Sequence, residues 1–390
     1  MGIPYGRQDI TQADIDAVEE VLRSDFLTQG PSVPLFERVV TEFCGATHGV
    51  AVNSATSALH IACLALGVGP GDWVWTSAIT FVASANCALH CGASIDFVDI
   101  DPRTYNLSVQ CLEKKLAEAK ASGRLPKVVI PVHLAGQSCD MRAINALAKE
   151  YGFHVIEDAS HAIGGRYCGE TVGSCRYSDI TVFSFHPVKI ITTGEGGMAV
   201  TNDAGLAASM TRLRTHGITR DVAQMTHASD GPWYYQQIDL GFNYRMTDIH
   251  ATLGISQMKR VSEYVTKRHE IAARYGELLA DVPVIRPWQH PDTYSALHLY
   301  VVRLRLGETR STQRQVFDGM RADGIGVNLH YIPVYRHPYF ERLGFPRDYC
   351  PQADQYYAEA VTLPIYPGLT EVDQDRVVES LKAALFTGPI

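Results

Sequence analysis

Three short stretches carry residue types that can do chemistry. The first is residues 179–201, Asp-Ile-Thr-Val-Phe-Ser-Phe-His-Pro-Val-Lys-Ile-Ile-Thr-Thr-Gly-Glu-Gly-Gly-Met-Ala-Val-Thr, where Lys189 lies between two β-type runs. An ammonium shielded from water has its charged form disfavoured, so a larger share is neutral amine, the state that attacks a carbonyl to form a Schiff base. A lysine that snorkels its amine to the surface is the plainer alternative for this residue alone. The second stretch is residues 154–162, His-Val-Ile-Glu-Asp-Ala-Ser-His-Ala, an apolar strand that runs into acids and small residues. Asp158 falls at the strand's carboxyl end, where open α/β sheets bind ligands, and a carboxylate there can hold a protonated ring nitrogen. It would serve equally as a helix cap or turn aspartate. The third is residues 53–60, Asn-Ser-Ala-Thr-Ser-Ala-Leu-His, with hydroxyls at the mouth of a helical run. That reads as a phosphate site or as an ordinary Ser/Thr cap.

Positioning these groups requires a sheet. Strand patterns at Gly49–Asn53, Trp73–Ser77, Ser94–Asp99, Val128–Val132 and Val155–Glu157 alternate with helical ones at Ala58–Leu66, Ala83–Cys91, Val109–Ala121 and Met141–Tyr151. Such alternation predicts a mostly parallel sheet with helices on both faces. Helices are expected at Gln12–Ser24, capped by Thr11, and at Gly205–His216 and Asp248–Lys259. Between the last two lies a polar, irregular stretch, Gly217–Asp239, of a length that usually serves function or an interface. From 253 a smaller α+β domain is expected. Its parts are a charged helix at Ser262–Leu279, an antiparallel sheet around His298–Leu304 and Gly326–Leu329, and a closing helix at Val377–Leu385. The domains are thus 1–252 and 253–390.

At 390 residues the chain suits a large domain plus a smaller one. With 46% apolar and 19% charged residues it has the composition of a well-buried globular protein. A net charge of −8 offers no broad basic surface for nucleic acid. No apolar run approaches the ~20 residues of a membrane span, and the first residues lack a signal-peptide core, so a cytoplasmic location is expected. The nine scattered cysteines read as free thiols. Cys87, His90 and Cys91 fall at helical spacing, but no second ligand pair follows, and no metal is expected.

Taken together, Asn-Ser-Ala-Thr-Ser-Ala-Leu, Glu-Asp-Ala-Ser-His-Ala and Ser-Phe-His-Pro-Val-Lys-Ile-Ile-Thr-Thr-Gly-Glu-Gly-Gly-Met-Ala-Val-Thr-Asn-Asp resemble the signature blocks of the DegT/DnrJ/EryC1/StrS family of nucleotide-sugar aminotransferases. The resemblance extends from Pro4-Tyr5 through Leu27-Thr-Gln-Gly-Pro31, Gly241-Phe-Asn-Tyr-Arg-Met-Thr-Asp248 and His330-Tyr-Ile-Pro333 to Leu363-Pro364. It implies the fold-type I architecture and pyridoxal 5′-phosphate as cofactor. By resemblance Lys189 is the Schiff-base lysine and proton shuttle, and Asp158 the partner of the pyridine nitrogen. Ser184, Thr56 and Ser57 would hold the phosphate, Phe81 would stack on the ring, and His161 would stand behind it. Asn243 would reach across a homodimer interface to the partner's phosphate, giving shared sites. Tyr5, Thr28 and His330, with Tyr331 and Tyr339 as weaker candidates, would face the substrate.

The implied partners are a nucleotide sugar and L-glutamate. Ile-Pro-Tyr-Gly-Arg, Leu-Thr-Gln-Gly-Pro and the lysine block further resemble family members that aminate C4 of a UDP-ketosugar in pseudaminic acid synthesis. Another UDP- or dTDP-ketosugar, aminated at C4 or C3, is the nearest alternative. A non-catalytic regulator on the same fold is the reading from another class, against which intact Lys189, Asp158 and Ser184 argue.

Overall fold

The computed structural model describes residues 2–386, so Met1 and the last four residues of the expected small domain lie outside the described residues. Helix α1 (Gln12–Leu22) begins in a capping box between Thr11 and Asp14. Helix α2 (Ser32–Cys44) ends at Gly45, whose left-handed φ of 80° frees the chain to turn. Then come β1 (His48–Val52), α3 (Ala55–Ala65), β2 (Trp73–Ser77), α4 (Ala83–His90), β3 (Ser94–Val98), α5 (Val109–Ser122) and β4 (Val128–Ile130). They are followed by α6 (Met141–Tyr151), β5 (His154–Asp158), β6 (Ile180–Ser184) and β7 (Gly197–Thr201).

The seven strands form one sheet in the order β1-β7-β6-β5-β4-β2-β3. Pairing is parallel from β3 through β2, β4 and β5 to β6; β7 runs antiparallel to both β6 and β1. The expected mostly parallel sheet is therefore present, and β7 is the reversed strand. Every residue of β6 and β7 is buried, as central strands covered on both faces must be. Apolar side chains of α3 and α4 fill one face, among them Leu59, Ile61 and Ala88, while Leu112, Leu116 and Ile144 of α5 and α6 fill the other.

A second core lies in the C-terminal third, around Tyr275, Val302, Val316, Leu363 and Leu381. The sheet there differs from expectation. Tyr300–Leu304 pairs with Val284–Ile285 and with Ala360–Leu363, whereas residues 326–329 contribute only a bridge from Asn328 to Thr362. The reason is competition from the N-terminal segment. Ile3 bridges Ile325, and Gly326 N–H donates to the Ile3 carbonyl at 2.6 Å. A Cβ on Gly326 would stand 2.9 Å from that oxygen, so a glycine is needed for the approach. All nine cysteines are free thiols. Among the described residues no helix is long and apolar enough to cross a membrane.

Candidate active site

The carboxyl ends of the parallel strands open into a cavity of about 850 Å³, at the edge where such sheets place ligands. Lys189 lies on the loop after β6. Phe185 closes the neck of that loop, its N–H bonded to the Gly196 carbonyl and its carbonyl accepting from Thr193 N–H, both at 3.0 Å. Within it Lys189 N–H bonds the His186 carbonyl at 2.9 Å, so His186 and Pro187 form the turn that presents the lysine. Burial lowers the Lys189 pKa to about 8, against the opposing pull of the Asp158 charge. A substantial share of the amine is therefore neutral near pH 8.

Asp158 ends β5 and is buried. Its Oδ2 accepts from Ser84 Oγ at 2.7 Å and its Oδ1 from Ser160 N–H at 3.1 Å. Both bonds fix the plane of the carboxyl group. Ser84 was not anticipated, since a serine in the small-residue helix α4 carries no signal in the sequence. His133 turns away from this group: Cys139 N–H donates to its Nδ1, leaving Nε2–H to bond Glu157 at 2.7 Å.

At the start of α3, Ser54 caps the helix by accepting Ser57 N–H at 3.1 Å, and Ser57 Oγ donates to Asn53 Oδ1 at 2.7 Å. The cap thus exists as the plainer reading of this stretch required. It leaves the N–H groups of Ala55 and Thr56 without a partner among the described residues, and the cavity wall includes both residues. A helix N-terminus with free amides suits a phosphate dianion. Strand β7 approaches so closely that a Cβ on Gly197 would stand 2.4 Å from Ala55 N. Ser184, at the end of β6, lines the same wall.

Phe81 leaves 58% of its surface exposed, in the cavity, a flat apolar face available to an aromatic ring. The C-terminal third of the chain contributes His298, His330 and Tyr331, and the N-terminal segment contributes Tyr5, its ring 5.3 Å from that of His330. Burial, aided by the Lys189 charge, lowers His330 to about 3 and pushes His161 and His298 well below the ordinary histidine value. All three are neutral imidazoles. His298 was missed in the sequence because it reads as a polar interruption of a core strand.

Ten of the thirteen residues singled out from the sequence thus line one cavity: Tyr5, Thr56, Ser57, Phe81, Asp158, His161, Ser184, Lys189, His330 and Tyr331. Thr28, Asn243 and Tyr339 do not. Thr28 is held away in a bridge to Thr247, next to a turn clamped by Asp248, which accepts the N–H groups of Gly30 and Ser32. Tyr339 is exposed and packs on Phe340 and Arg342. Asn243 is exposed in a bridge to Thr215.

A cavity with a lysine of lowered pKa, a fixed carboxylate and a helix N-terminus fits a phosphorylated pyridine aldehyde. Residues 8–382 match the model of the DegT/DnrJ/EryC1/StrS aminotransferase family. The chain belongs to that family. It is accordingly a pyridoxal-phosphate-dependent sugar aminotransferase. Among its relatives, the spore coat polysaccharide biosynthesis protein SpsC of Bacillus subtilis is 39% identical over 97% of this chain and 96% of its own. Among solved structures, Helicobacter pylori PseC, an aminotransferase involved in the biosynthesis of pseudoaminic acid, superimposes with a TM-score of 0.89 at 29% identity over 99% of both chains. The sugar aminotransferase Spr1654 of Streptococcus pneumoniae, in its PMP form, does so at 0.89 and 30% identity over 98% of each.

Within the family's chemistry Lys189 and Asp158 would bond the cofactor's carbonyl carbon and its ring nitrogen. The amides of Ala55 and Thr56, with the hydroxyls of Thr56 and Ser184, would take its phosphate; Ser57 does not serve as expected, because its N–H is given to Ser54 and its O–H to Asn53.

Proposed function

We propose that this protein transfers an amino group from L-glutamate to C4 of UDP-2-acetamido-2,6-dideoxy-β-L-arabino-hexos-4-ulose, giving UDP-4-amino-4,6-dideoxy-N-acetyl-β-L-altrosamine, a step of pseudaminic acid synthesis. The carrying observation is the convergence of Lys189, Asp158 and the open end of α3 on one cavity. Likeness to PseC over the full chain supports the choice of sugar. When bound, pyridoxal phosphate supplies a carbonyl that carries the amino group and a ring that accepts electrons from the substrate carbon. Lys189, with its pKa lowered to about 8, takes and returns the proton of that carbon. Asp158, oriented by Ser84, holds the proton of the ring nitrogen. Phe81 and the neutral histidines add no charge to the cavity, as suits the uncharged sugar ring of the substrate.

The second reading is another UDP- or dTDP-ketosugar aminated at C4 or C3. Higher identity to a spore-coat polysaccharide protein than to PseC favours it. Both readings use a homodimer in which Asn243, outside its own chain's cavity, serves the partner's, and a division of the chain near residues 252 and 253. Amino transfer from glutamate to a panel of UDP- and dTDP-ketosugars, with product NMR, separates them. Selective amination of the β-L-arabino UDP sugar upholds the first; preference for a different sugar upholds the second.

A further inference from the structure

One wall of the cavity holds a chain of hydrogen bonds whose direction is fixed from behind. The turn 133–137, with Ala135 at φ 58° and Gly136 at φ 101°, brings the Ala135 N–H to His161 Nδ1 at 3.3 Å. Gly136 is indispensable to that turn, since a Cβ there would stand 2.8 Å from Leu297 N and 3.0 Å from the His161 carbonyl. A backbone amide can only donate, so Nδ1 must keep its lone pair. His161 is buried and neutral, its burial and the nearby Lys189 charge opposing protonation. The remaining proton is then on Nε2, which lies 3.1 Å from the Tyr331 hydroxyl and donates to it. The tyrosine oxygen is thereby an acceptor toward His161.

Its own proton has to go elsewhere. Among the described residues nothing else hydrogen-bonds the Tyr331 hydroxyl, and burial, with the Asp158 charge, keeps it a phenol. Tyr331 lines the cavity with Lys189 and Asp158, its ring 6.2 Å from that of Phe81. We propose that Tyr331, accepting from His161, donates its hydroxyl proton to the carbonyl oxygen of the ketosugar, and that His161 is the positioning residue that sets this polarity. The proposal rests on the ketosugar reading above and names the atom by which that substrate is recognised. A carbonyl oxygen only accepts, and so completes the chain from Ala135. The protonated amino group that replaces it in the product only donates and faces the same O–H unpaired. One wall thus favours the ketone over its amination product.

Cofactor-loaded protein without an amino donor binds ketosugar but does not turn it over, so equilibrium binding can be read by calorimetry, with UDP alone as control. Tyr331→Phe is expected to weaken the ketosugar roughly tenfold and to leave UDP within about twofold, the loss of one hydrogen bond at the reacting end. His161→Gln keeps an acceptor for Ala135 and a donor for Tyr331, and should bind within about threefold of the parent. His161→Glu reverses the chain by capturing the tyrosine proton, and should lose as much as Tyr331→Phe. Unchanged ketosugar binding by Tyr331→Phe would overturn the proposal. Equal binding by the Gln and Glu variants would overturn the part played by His161, and near-ultraviolet circular dichroism of each variant identifies any that fails to fold. A parent protein that binds UDP but no ketosugar removes the substrate reading, and this inference with it.

Discussion

At the scale of single residues the site works by desolvation. The Lys189 pKa of about 8 follows from burial, so native protein holds a proton on this amine less readily than the unfolded chain does. Below pH 8 both states are protonated and the buried charge costs stability in full; the cost fades as pH rises from 8 to 10.5 and vanishes above. Lys189→Met in cofactor-free protein should therefore stabilise the fold at pH 7 by on the order of 1–3 kcal/mol, measured by urea unfolding, with no gain above pH 10.5. The same shift predicts that cofactor capture, followed by its visible absorbance, accelerates with pH and levels off above about 8. On the roles proposed for it, Lys189→Ala should lower turnover by several powers of ten, since it would remove both the bond to the carbonyl carbon and the proton carrier; near-normal turnover would sink the assignment. Ser84→Ala removes one of two bonds orienting Asp158 and should reduce kcat about tenfold with little change in KM for glutamate, in steady-state assays. Lys189 and Asp158 were legible because a charge interrupts an apolar run at each. Ser84 and His298 were not, because a serine in a helix of small residues and a histidine beside a core strand look the same whether or not they face a cavity.

Elements decide where those groups meet. The opening of α3 is usable only because β7 lies against it without a side chain at Gly197. Gly197→Ala forces a methyl to 2.4 Å from a backbone nitrogen, a contact that no flexible side chain can relieve. We expect it to destabilise the fold by about 1–3 kcal/mol in thermal unfolding and to weaken cofactor retention in dialysis. Asp248 plays the matching part for the turn before α2, and its two backbone bonds explain why Thr28 is tied outside the cavity. Strand and helix positions in the parallel sheet were read from the sequence to within a few residues, since alternation of buried runs and amphipathic helices is a local property. Helix α2, Ser32–Cys44, went unrecognised. Its Pro34, third in the helix, reads in sequence as a breaker, yet lies in the first turn where no N–H is required.

For the whole molecule, the N-terminal segment is the surprise. Ile3 belongs to the C-terminal core, and Tyr5 reaches the cavity beside His330, so residues more than 300 apart share one wall. On the reading of a shared-site dimer, Asn243→Ala should weaken cofactor retention without changing the oligomeric mass seen by light scattering; unchanged retention would count against it. The exposed apolar side chains of Phe26, Leu27, Trp233 and Leu240 are available to such an interface. By itself the sequence determined the chemistry and the family, because reactive types at fixed spacing within signature blocks are covalently encoded. It also determined the parallel sheet, through local periodicity. Only the tertiary structure decided which histidines are buried beside the cavity, that Ser84 bonds Asp158, and that Ile3 joins the C-terminal core and so sets Tyr5 beside His330. These depend on burial and on hydrogen-bond partners brought from distant parts of the chain, quantities that no local stretch of sequence contains.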